Sequence, residues 1–386
     1  MGMAVACLLG PVSASPAHAQ LMVIGVDRKF DGAGGKRDTL EPGHDKLLVF
    51  DLKDPAAPAL IGELALENSL VGPPTNLAIT PDQGLALVAN AVHAKRKTDG
   101  PGWENTPADE VFVVDLAARP IRLVDTVKVG AQPSGLAIDR TGRFALVANR
   151  VGKSVTVLSI RGKSVTVTDT LPMGDVVNAV AITPDGRHAL ATKLLAHKVA
   201  QLSLSPEGKL TDDKQDLPVG LYPWNIAITP EGKRALVNNF GTPSGSDGNA
   251  DSVTVIDLAS EPPRVVQHVT VGDAPEGLAI SPLGDLAVVT LLQGSYDAPP
   301  GTWYRRDNGS VQMLSLTAQD VSVVGTSEVG PLPESAGMSP DGRFVYVGNY
   351  GSSTLSILAI GANGIVTGRH DMPLPGPPAS LRVVGQ

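Results

Sequence analysis

The amino-acid sequence predicts an all-β fold, a seven-bladed β-propeller that forms one domain over residues 20–386. Three observations predict it: an internal repeat, a seventh copy of one strand type, and turn residues spread evenly along the chain. The 42 glycines and 32 prolines gather in no single linker, as expected of regular turns. Because 42 % of the residues are hydrophobic but only 4 % are aromatic, aliphatic side chains must fill the core.

The repeat reads Leu-Ala-Ile-Thr-Pro-Asp-Gly, two further residues, and then Ala-Leu-Val-Ala-Asn. This pattern is typical of two β-strands joined by a tight turn, in which proline presets φ and glycine takes a positive φ. The six copies cover Leu77–Asn90, Leu136–Asn149, Val180–Lys193, Ile226–Asn239, Leu278–Leu291 and Ala336–Asn349. Their central residues are 44 to 59 positions apart, which fits four-stranded blades with variable insertions.

The third strand of this unit occurs seven times, once more than the complete repeat. The C-terminal segment Pro378–Val384 matches only the opening of the repeat and then stops. We therefore expect Pro378–Val384 to be the inner strand of a blade whose other strands lie near Leu21–Val26, Lys46–Leu52 and Leu60–Leu66. Closure by both termini would leave the ring without a free end.

Two segments, residues 145–157 and 345–358, resemble the YVTN repeat family of β-propellers. The second reads Val-Tyr-Val-Gly-Asn-Tyr-Gly-Ser-Ser-Thr-Leu-Ser-Ile-Leu, and the Thr-Pro-Asp-Gly turns extend the resemblance over nearly all of residues 20–386. The repeat lacks the Gly-His and Trp-Asp pairs of WD40 repeats. Relatives of this architecture include periplasmic binding propellers, lactonase-like enzymes and large subunits of periplasmic dehydrogenases, so the resemblance implies a fold but leaves the function open.

The first residues predict export. Met1–Leu9 is apolar and Ala17-His18-Ala19 has the A-x-A pattern of a cleavage site, so residues 1–19 are expected to be a signal peptide. We therefore expect a periplasmic or secreted protein, and a monomer. The single cysteine, Cys7, lies in this segment, which leaves residues 20–386 without disulfides or thiolate metal ligands. The net charge of −8 argues against nucleic-acid binding, and no later apolar run is long enough to span a membrane.

Four connections between second and third strands are long, and the strand order places all four on one face. They cover Asp27–Asp45, Asn90–Glu110, Asn239–Ser252 and Leu291–Ser310. We call them the first to fourth insertions, and their side the insertion face; the side with the short Thr-Pro-Asp-Gly turns is the turn face. Long loops on a rigid scaffold are frequent places for binding sites, so we expect the site on the insertion face.

Candidate site residues come from the insertions and from the positions just before each inner strand. The insertions carry the aromatic and arginine side chains that recognition surfaces use, namely Trp103, Tyr296, Trp303, Tyr304, Arg305 and Arg306. The mouth of the central channel adds the candidate binding residues Asn76, Asn178, Trp224 and Asn225 and the candidate catalytic residues Glu276 and Glu334. The alternative is that the insertions only cap the channel and the asparagines only close turns between blades.

Metal binding is a weaker expectation. A ring of oxygen ligands at the channel mouth suits a divalent cation such as calcium, whereas a zinc site would draw on His44, His93, His197 and Glu276. The histidines lack the close spacing of a zinc-binding helix, and neither a nucleophile elbow nor a phosphate-binding loop occurs. No cofactor is therefore firmly predicted.

Three functions are open at this point. The favoured one is binding of a small molecule or a protein partner on the insertion face. The second is a metal-assisted, lactonase-like hydrolase with its site at the channel mouth. The third is the large subunit of a periplasmic dehydrogenase, whose partner would have to bring the redox centre.

Overall fold

The computed structural model describes residues 20–36, 38–68, 71–243 and 245–385. Within these residues, antiparallel strands form seven sheets, and the helical segments are three short 3-10 turns at Ala33–Gly35, Tyr350–Ser352 and Ala362–Gly364. The predicted all-β class is confirmed. No helix in the described part of the chain is long and apolar enough to cross a membrane. The predicted signal peptide, residues 1–19, lies outside the described residues.

The sheets are numbered along the chain, with strands in hydrogen-bonding order. Sheet 1 consists of Pro378–Val383, Leu21–Val26, Lys46–Asp51 and Ala59–Ala65. Sheet 2 consists of Leu77–Ile79, Leu85–Arg96, Trp103–Asp115 and Arg122–Lys128, extended by Asp38–Thr39 and Phe30–Asp31. Sheet 3 consists of Pro133–Ile138, Phe144–Asn149, Ser154–Arg161 and Ser164–Pro172.

Sheets 4 to 7 repeat the same antiparallel order. Sheet 4 consists of Val177–Ile182, His188–Lys193, Lys198–Leu204 and the two short strands Leu210–Asp212 and Leu217–Pro218. Sheet 5 consists of Pro223–Ile228, Arg234–Asn239, Asp251–Asp257 and Arg264–Val271. Sheet 6 consists of Pro275–Ile280, Leu286–Leu291, Ser310–Leu316 and Val321–Glu328, and sheet 7 of Pro333–Met338, Phe344–Asn349, Thr354–Ile360 and Val366–Pro373.

The two ends of the described chain meet in sheet 1. Pro378–Val383 pairs antiparallel with Leu21–Val26, and Ile24 lies opposite Leu381. The third strand of this sheet ends at Asp51, one residue earlier than predicted, because the Asp51 carboxylate accepts the N–H of Lys53 and starts a turn. The fourth strand is Ala59–Ala65, shifted by one residue from the predicted Leu60–Leu66.

Aliphatic side chains fill the space between neighbouring sheets, as the composition predicts. The first strand of each sheet contacts the first strand of the next, and Pro378–Val383 contacts both Pro333–Met338 and Leu77–Ile79. Sheet 7 packs on sheet 1 through a cluster in which Leu355 and Leu48 are fully buried. These contacts bring the beginnings of all seven first strands together on the insertion face.

The turn face is built from one local hydrogen-bond pattern. In the turn after Ile182, the Thr183 hydroxyl donates to Asp185 at 2.6 Å and accepts the N–H of His188 at 3.1 Å. Gly186 has φ of +69°, which glycine adopts without strain. In the first copy of the repeat this position is Gln83, with φ of +58°. The polar groups of this turn are therefore hydrogen-bonded to one another.

An asparagine at the end of the second strand closes the insertion-face end of several sheets. The Asn349 amide donates to Thr354 at 3.0 Å and to Ser356 at 2.8 Å, and its carbonyl accepts the N–H of Gly330 at 3.0 Å. A Cβ atom at residue 330 would lie 2.6 Å from Asn349 Cγ, so glycine is required there. Asn149 and Asn239 make the equivalent side-chain bonds, and we call this arrangement the asparagine clamp.

The second insertion differs from the predicted loop. Its two strands continue as one long hairpin, in which Arg96 pairs with Trp103. The buried residues Ala91, Val92 and Ala94 anchor the base of this hairpin, whereas Lys95 and Arg96 near its tip are exposed. The first insertion extends the same sheet, since Thr39 pairs with Trp103.

Candidate functional site

A cavity of about 880 Å³ opens on the insertion face. Each insertion contributes to its wall, for example Asp31 from the first, Pro107 from the second, Phe240 from the third and Asp297 from the fourth. The beginnings of the first strands contribute Trp224, Glu276, Glu334 and Ala379 to the base. The cavity is therefore assembled from segments that are far apart in sequence.

An apolar cluster supports the cavity. Trp224 packs on Phe240 with ring centres 4.8 Å apart, and Leu292, Leu332 and Tyr350 belong to the same cluster. Several of these side chains occupy the position directly after the repeat, which is Arg150, Leu194, Phe240, Leu292 or Tyr350 in different copies. Sequence reasoning missed this position, although extending the repeat alignment by one residue would have identified it.

Two buried contacts hold the first insertion in place. The Tyr350 hydroxyl hydrogen-bonds the carbonyl oxygens of Asp27 at 3.1 Å and Phe30 at 3.0 Å. The fully buried Lys29 lies 3.3 Å from the Asp27 carboxylate and also pairs with Asp45. A buried charge persists only where it is paired, so this ion-pair network fixes both ends of the insertion.

At the base, one chain of contacts connects four polar or aromatic side chains. Glu276 is only 3 % exposed, and its Oε1 accepts a hydrogen bond from Trp224 Nε1 at 2.5 Å. The Arg150 guanidinium lies 5.4 Å from the centre of the Trp224 ring and donates to the side-chain oxygen of Asn178. Burial lowers the pKa of Arg150 to about 10, although Glu276 favours its charged form.

The two glutamates face an unfavourable environment for negative charge. Burial raises the pKa of Glu276 well above its ordinary value, and the nearby Glu334 raises it further. Burial also raises the pKa of Glu334, with Asp297 and Asp27 adding to the effect. Carboxyl groups with raised pKa values in a cleft are typical of functional sites, since they can hold or exchange a proton near neutral pH.

Some of the predicted residues line the cavity and others do not. Trp224, Glu276, Glu334 and Tyr304 line it. Tyr296 lies at its edge, where its hydroxyl interacts with Asp31 and its ring packs 6.4 Å from Tyr350.

The remaining predicted aromatic and arginine residues lie outside the cavity lining. Trp103 packs under Arg96, with the guanidinium 5.3 Å from the ring centre. Trp303 is 73 % exposed and packs against Tyr304 with ring centres 5.7 Å apart. Arg305 donates to the carbonyl of Ala298, and Arg306 is exposed.

The three predicted asparagines are buried, and each forms hydrogen bonds within the protein instead of facing the cavity. Asn76 donates to the Ala89 carbonyl at 3.0 Å, and Asn225 accepts the N–H of Ile226 at 2.8 Å. Asn178 accepts from Arg150. This arrangement fits the alternative that these residues organise the beginnings of the first strands.

The candidate metal ligands do not gather. His44 is exposed, His93 lies 3.3 Å from Glu67 and 3.1 Å from Glu110, and His197 Nδ1 accepts the N–H of Tyr222 at 3.0 Å. Among the described residues, no group of three or more histidine, cysteine, aspartate or glutamate side chains is arranged to hold a metal ion. The three histidines therefore do not join Glu276 in the zinc site considered from the sequence.

Comparison with known proteins identifies the fold of this chain. No protein-family model matches the chain, and no curated protein matches its sequence. The periplasmic gluconolactonase of Pseudomonas aeruginosa is 20 % identical, with a TM-score of 0.66 over 95 % of this chain and 99 % of that one. A 6-phosphogluconolactonase candidate from Bacteroides fragilis is also 20 % identical, with a TM-score of 0.69 over 96 % and 99 % of the two chains.

A third solved structure broadens the comparison. Hydrazine synthase of Kuenenia stuttgartiensis is 19 % identical, with a TM-score of 0.61 over 82 % of this chain and 91 % of that one. Proteins of different chemistry thus share this architecture, and identities this low carry information on fold alone. The chain has a β-propeller fold similar to that of lactonase-like proteins.

Proposed function

We propose that this chain is an exported, seven-bladed β-propeller that binds a small organic molecule in the cavity beneath its four insertions. The observation that carries the proposal is the composition of that cavity. It has about 880 Å³ of space, walls from all four insertions, and buried carboxyl and aromatic groups at its base. Small-molecule sites are typically concave and mostly apolar, with a few placed polar groups.

The blade count and the closure belong to the same proposal. Seven sheets among the described residues, the pairing of Pro378–Val383 with Leu21–Val26, and the successive contacts of first strands all support a closed ring. Export is supported by the pattern of residues 1–19 and by the similarity to a periplasmic protein. We assign the protein to the periplasm or the exterior as a monomer, with no nucleic-acid partner.

A ligand panel tests the binding function. Purified protein is screened by thermal shift against amines, sugar acids, lactones, nucleosides and amino acids, and every hit is titrated by calorimetry. Because Tyr304 lines the cavity, Tyr304→Ala should weaken binding by about tenfold or more. The control is Leu283→Ala, which removes a side chain that is 81 % exposed on the turn face. Equal affinity in the two variants would contradict the assignment.

Lactone hydrolysis at the same cavity is the second candidate function, favoured by the two neighbouring carboxyl groups. In this scheme the ionised Glu334 takes a proton from water, whose oxygen forms a bond to the lactone carbonyl carbon. The ring carbon–oxygen bond then breaks, and protonated Glu276, held by Trp224, donates its proton to the leaving oxygen. In this scheme every proton transfer is made by one of these two side chains.

Hydrolysis is measured by acid release from gluconolactone in a pH-stat. Glu334→Gln preserves the shape of the side chain but removes the base, so the enzymatic rate should fall by about a hundredfold or more. The control is Glu231→Gln, on the exposed turn face. A wild-type rate equal to the uncatalysed rate, with and without added calcium or zinc, would exclude this candidate. The described residues add no specific support for the dehydrogenase-subunit alternative.

A further inference from the structure

The cavity wall has more negative than positive groups. Asp27, Asp31, Glu276, Asp297 and Glu334 all contribute to its lining. Cationic neighbours compensate three of these carboxyl groups: Lys29 lies 3.3 Å from Asp27, Lys36 lies 3.4 Å from Asp31, and Arg150 acts on Glu276. Among the described residues, Asp297 and Glu334 form no ion pair. The base of the cavity therefore has an uncompensated acidic side.

Hydrogen-bond acceptors at the base also lack donors. Glu276 is 97 % buried, since its exposure is 3 %, and Trp224 donates to one of its oxygens. Within the described part of the chain, no group donates to the second oxygen of Glu276 or to either oxygen of Glu334. Glu334 is half-buried, and Asp297 Oδ1 in the same lining is a buried acceptor without a hydrogen-bond partner. Buried acceptors without partners cost free energy, so a donor that enters the cavity would be stabilised there.

Aromatic rings surround the same space. Phe30, Trp224, Phe240, Tyr304 and Tyr350 line the cavity together with the carboxyl groups. The face of an aromatic ring attracts a cation, most strongly where water is excluded. Carboxyl groups and aromatic faces thus both favour a positively charged ligand, and both disfavour an anion.

We propose that the ligand of this cavity is an organic amine in its protonated form. The inference rests on the proposed small-molecule function and specifies its chemical class. The ammonium N–H groups would donate to Glu334 and to the free oxygen of Glu276, while the organic part packs against the aromatic rings. A primary or secondary ammonium fits better than a quaternary one, because only the former has N–H donors for the open acceptors.

Proton linkage gives this proposal a distinctive readout. Burial raises the pKa of both glutamates, whereas a bound cation would favour their ionised forms. The groups that act on Glu334 are Asp27, Asp297, Glu276 and the Tyr350 hydroxyl. Amine binding should therefore release protons to the buffer, and affinity should rise with pH until the amine itself begins to lose its charge.

The test is calorimetry of the full-length mature protein with three probes of similar shape. They are phenethylamine, phenethyl alcohol and phenylpropionate, each titrated in buffers of different ionisation enthalpy. We expect the amine to bind at least about tenfold more tightly than the alcohol, with net proton release, and the acid to bind most weakly. Binding of the alcohol or the acid as tightly as the amine would overturn the assignment of charge.

A single variant tests how much the Glu334 carboxyl group contributes to amine binding. Glu334→Gln should weaken amine binding by about tenfold, reduce the proton release, and weaken alcohol binding to a smaller extent. Glu231→Gln, on the turn face, should change none of these. Amine binding that is insensitive to Glu334→Gln would also overturn the inference, as would the absence of amine binding. The proposed small-molecule function would stand in each case if the wider panel yields a ligand whose affinity depends on Tyr304.

Discussion

The two faces of this protein carry spaces of similar size, both lined in part by carboxyl groups, but built from different parts of the chain. The cavity of the insertion face has about 880 Å³, and a groove between sheets 4 and 5 on the turn face has about 770 Å³. The groove is lined by repeat turns such as Thr183–Asp185 and by exposed polar residues such as Glu231. Size alone therefore does not identify the functional face.

Asp185 on the turn face and Glu334 on the insertion face have pKa shifts of opposite sign, whereas Asp31, also in the cavity lining, has a lowered pKa because it accepts the N–H of Ala33. On the turn face, burial raises the pKa of Asp185, but the Thr183 hydroxyl and the N–H of Arg187 hold it below its ordinary value. On the insertion face, Glu334 has no comparable donor, and its pKa is raised. The hydrogen-bond donors of the repeat turn thus favour the ionised form of Asp185, whereas the surroundings of Glu334 favour its protonated form.

The largest effect should come from breaking the proposed closed ring, on which both faces would depend. Deleting residues 379–386 removes the strand that pairs with Leu21–Val26 and takes Leu381 and Val383 out of the core. We expect loss of cooperative unfolding and of both faces together, since an open ring exposes apolar edges. Circular dichroism during heating measures this. A deletion variant that melts like the full-length chain would show that the ring does not depend on this strand.

A smaller effect should show that the insertion-face end of a sheet contributes more to the free energy of unfolding than its turn end. Asn349→Ala removes three hydrogen bonds of the asparagine clamp, and we expect it to lower the free energy of unfolding by about 2–4 kcal/mol. The matched variant Thr183→Ala affects one half-buried turn and should cost about 1 kcal/mol or less. Urea titrations give both values. Equal losses would contradict the view that the clamp is the stronger support.

The smallest effect concerns pH. Since folding raises the pKa of Glu334, this residue binds a proton more tightly in the folded than in the unfolded chain. Its contribution to stability is full below the usual glutamate pKa of about 4.3 and is lost as pH rises through the folded-state pKa. Glu334→Gln cannot ionise, so we expect its melting temperature to exceed that of wild type by about 1–3 °C at pH of about 9 and to match it at pH of about 4.

The control for this prediction is on the opposite face. Glu231→Gln changes an exposed carboxyl group and should follow wild type at both pH values. A Glu334→Gln variant that gains nothing at high pH would show that Glu334 is well solvated or paired in solution. The contrast in pKa between the carboxyl groups of the two faces would then not hold for Glu334.

Much of the fold could be predicted from the sequence because the repeat encodes it locally. The Thr-Pro-Asp-Gly turns and the aliphatic strands determine the sheets, and the extra third strand indicates how Pro378–Val383 is used. The same alignment placed Trp224, Glu276 and Glu334 side by side, since equivalent positions of different sheets meet at the insertion face. All three line the cavity.

The irregular part of the site was predicted less well for a physical reason. In the insertions, side-chain direction depends on tertiary contacts that no local pattern encodes. Arg305 turns back to the Ala298 carbonyl, and Trp103 becomes part of a hairpin, so neither lines the cavity. Lys29 escaped notice because its buried pairing with Asp27 and Asp45 joins both ends of an insertion.

The most direct test of binding in this cavity is to fill it without replacing any of its charged or aromatic side chains. Gly32 lines the cavity with φ of −99°, and a Cβ atom there would meet only Tyr296, at 3.7 Å. Gly32→Leu should therefore fold normally and project into the ligand space. Its control is Gly100→Leu, at an exposed position of the second insertion where an added Cβ meets nothing within 4 Å.

Both variants are titrated by calorimetry with the tightest ligand found for the wild-type protein. If the cavity of the insertion face is the binding site, Gly32→Leu will weaken binding by about tenfold or more while Gly100→Leu binds like wild type. Wild-type affinity in a folded Gly32→Leu variant would contradict the account and place the binding site elsewhere on the protein.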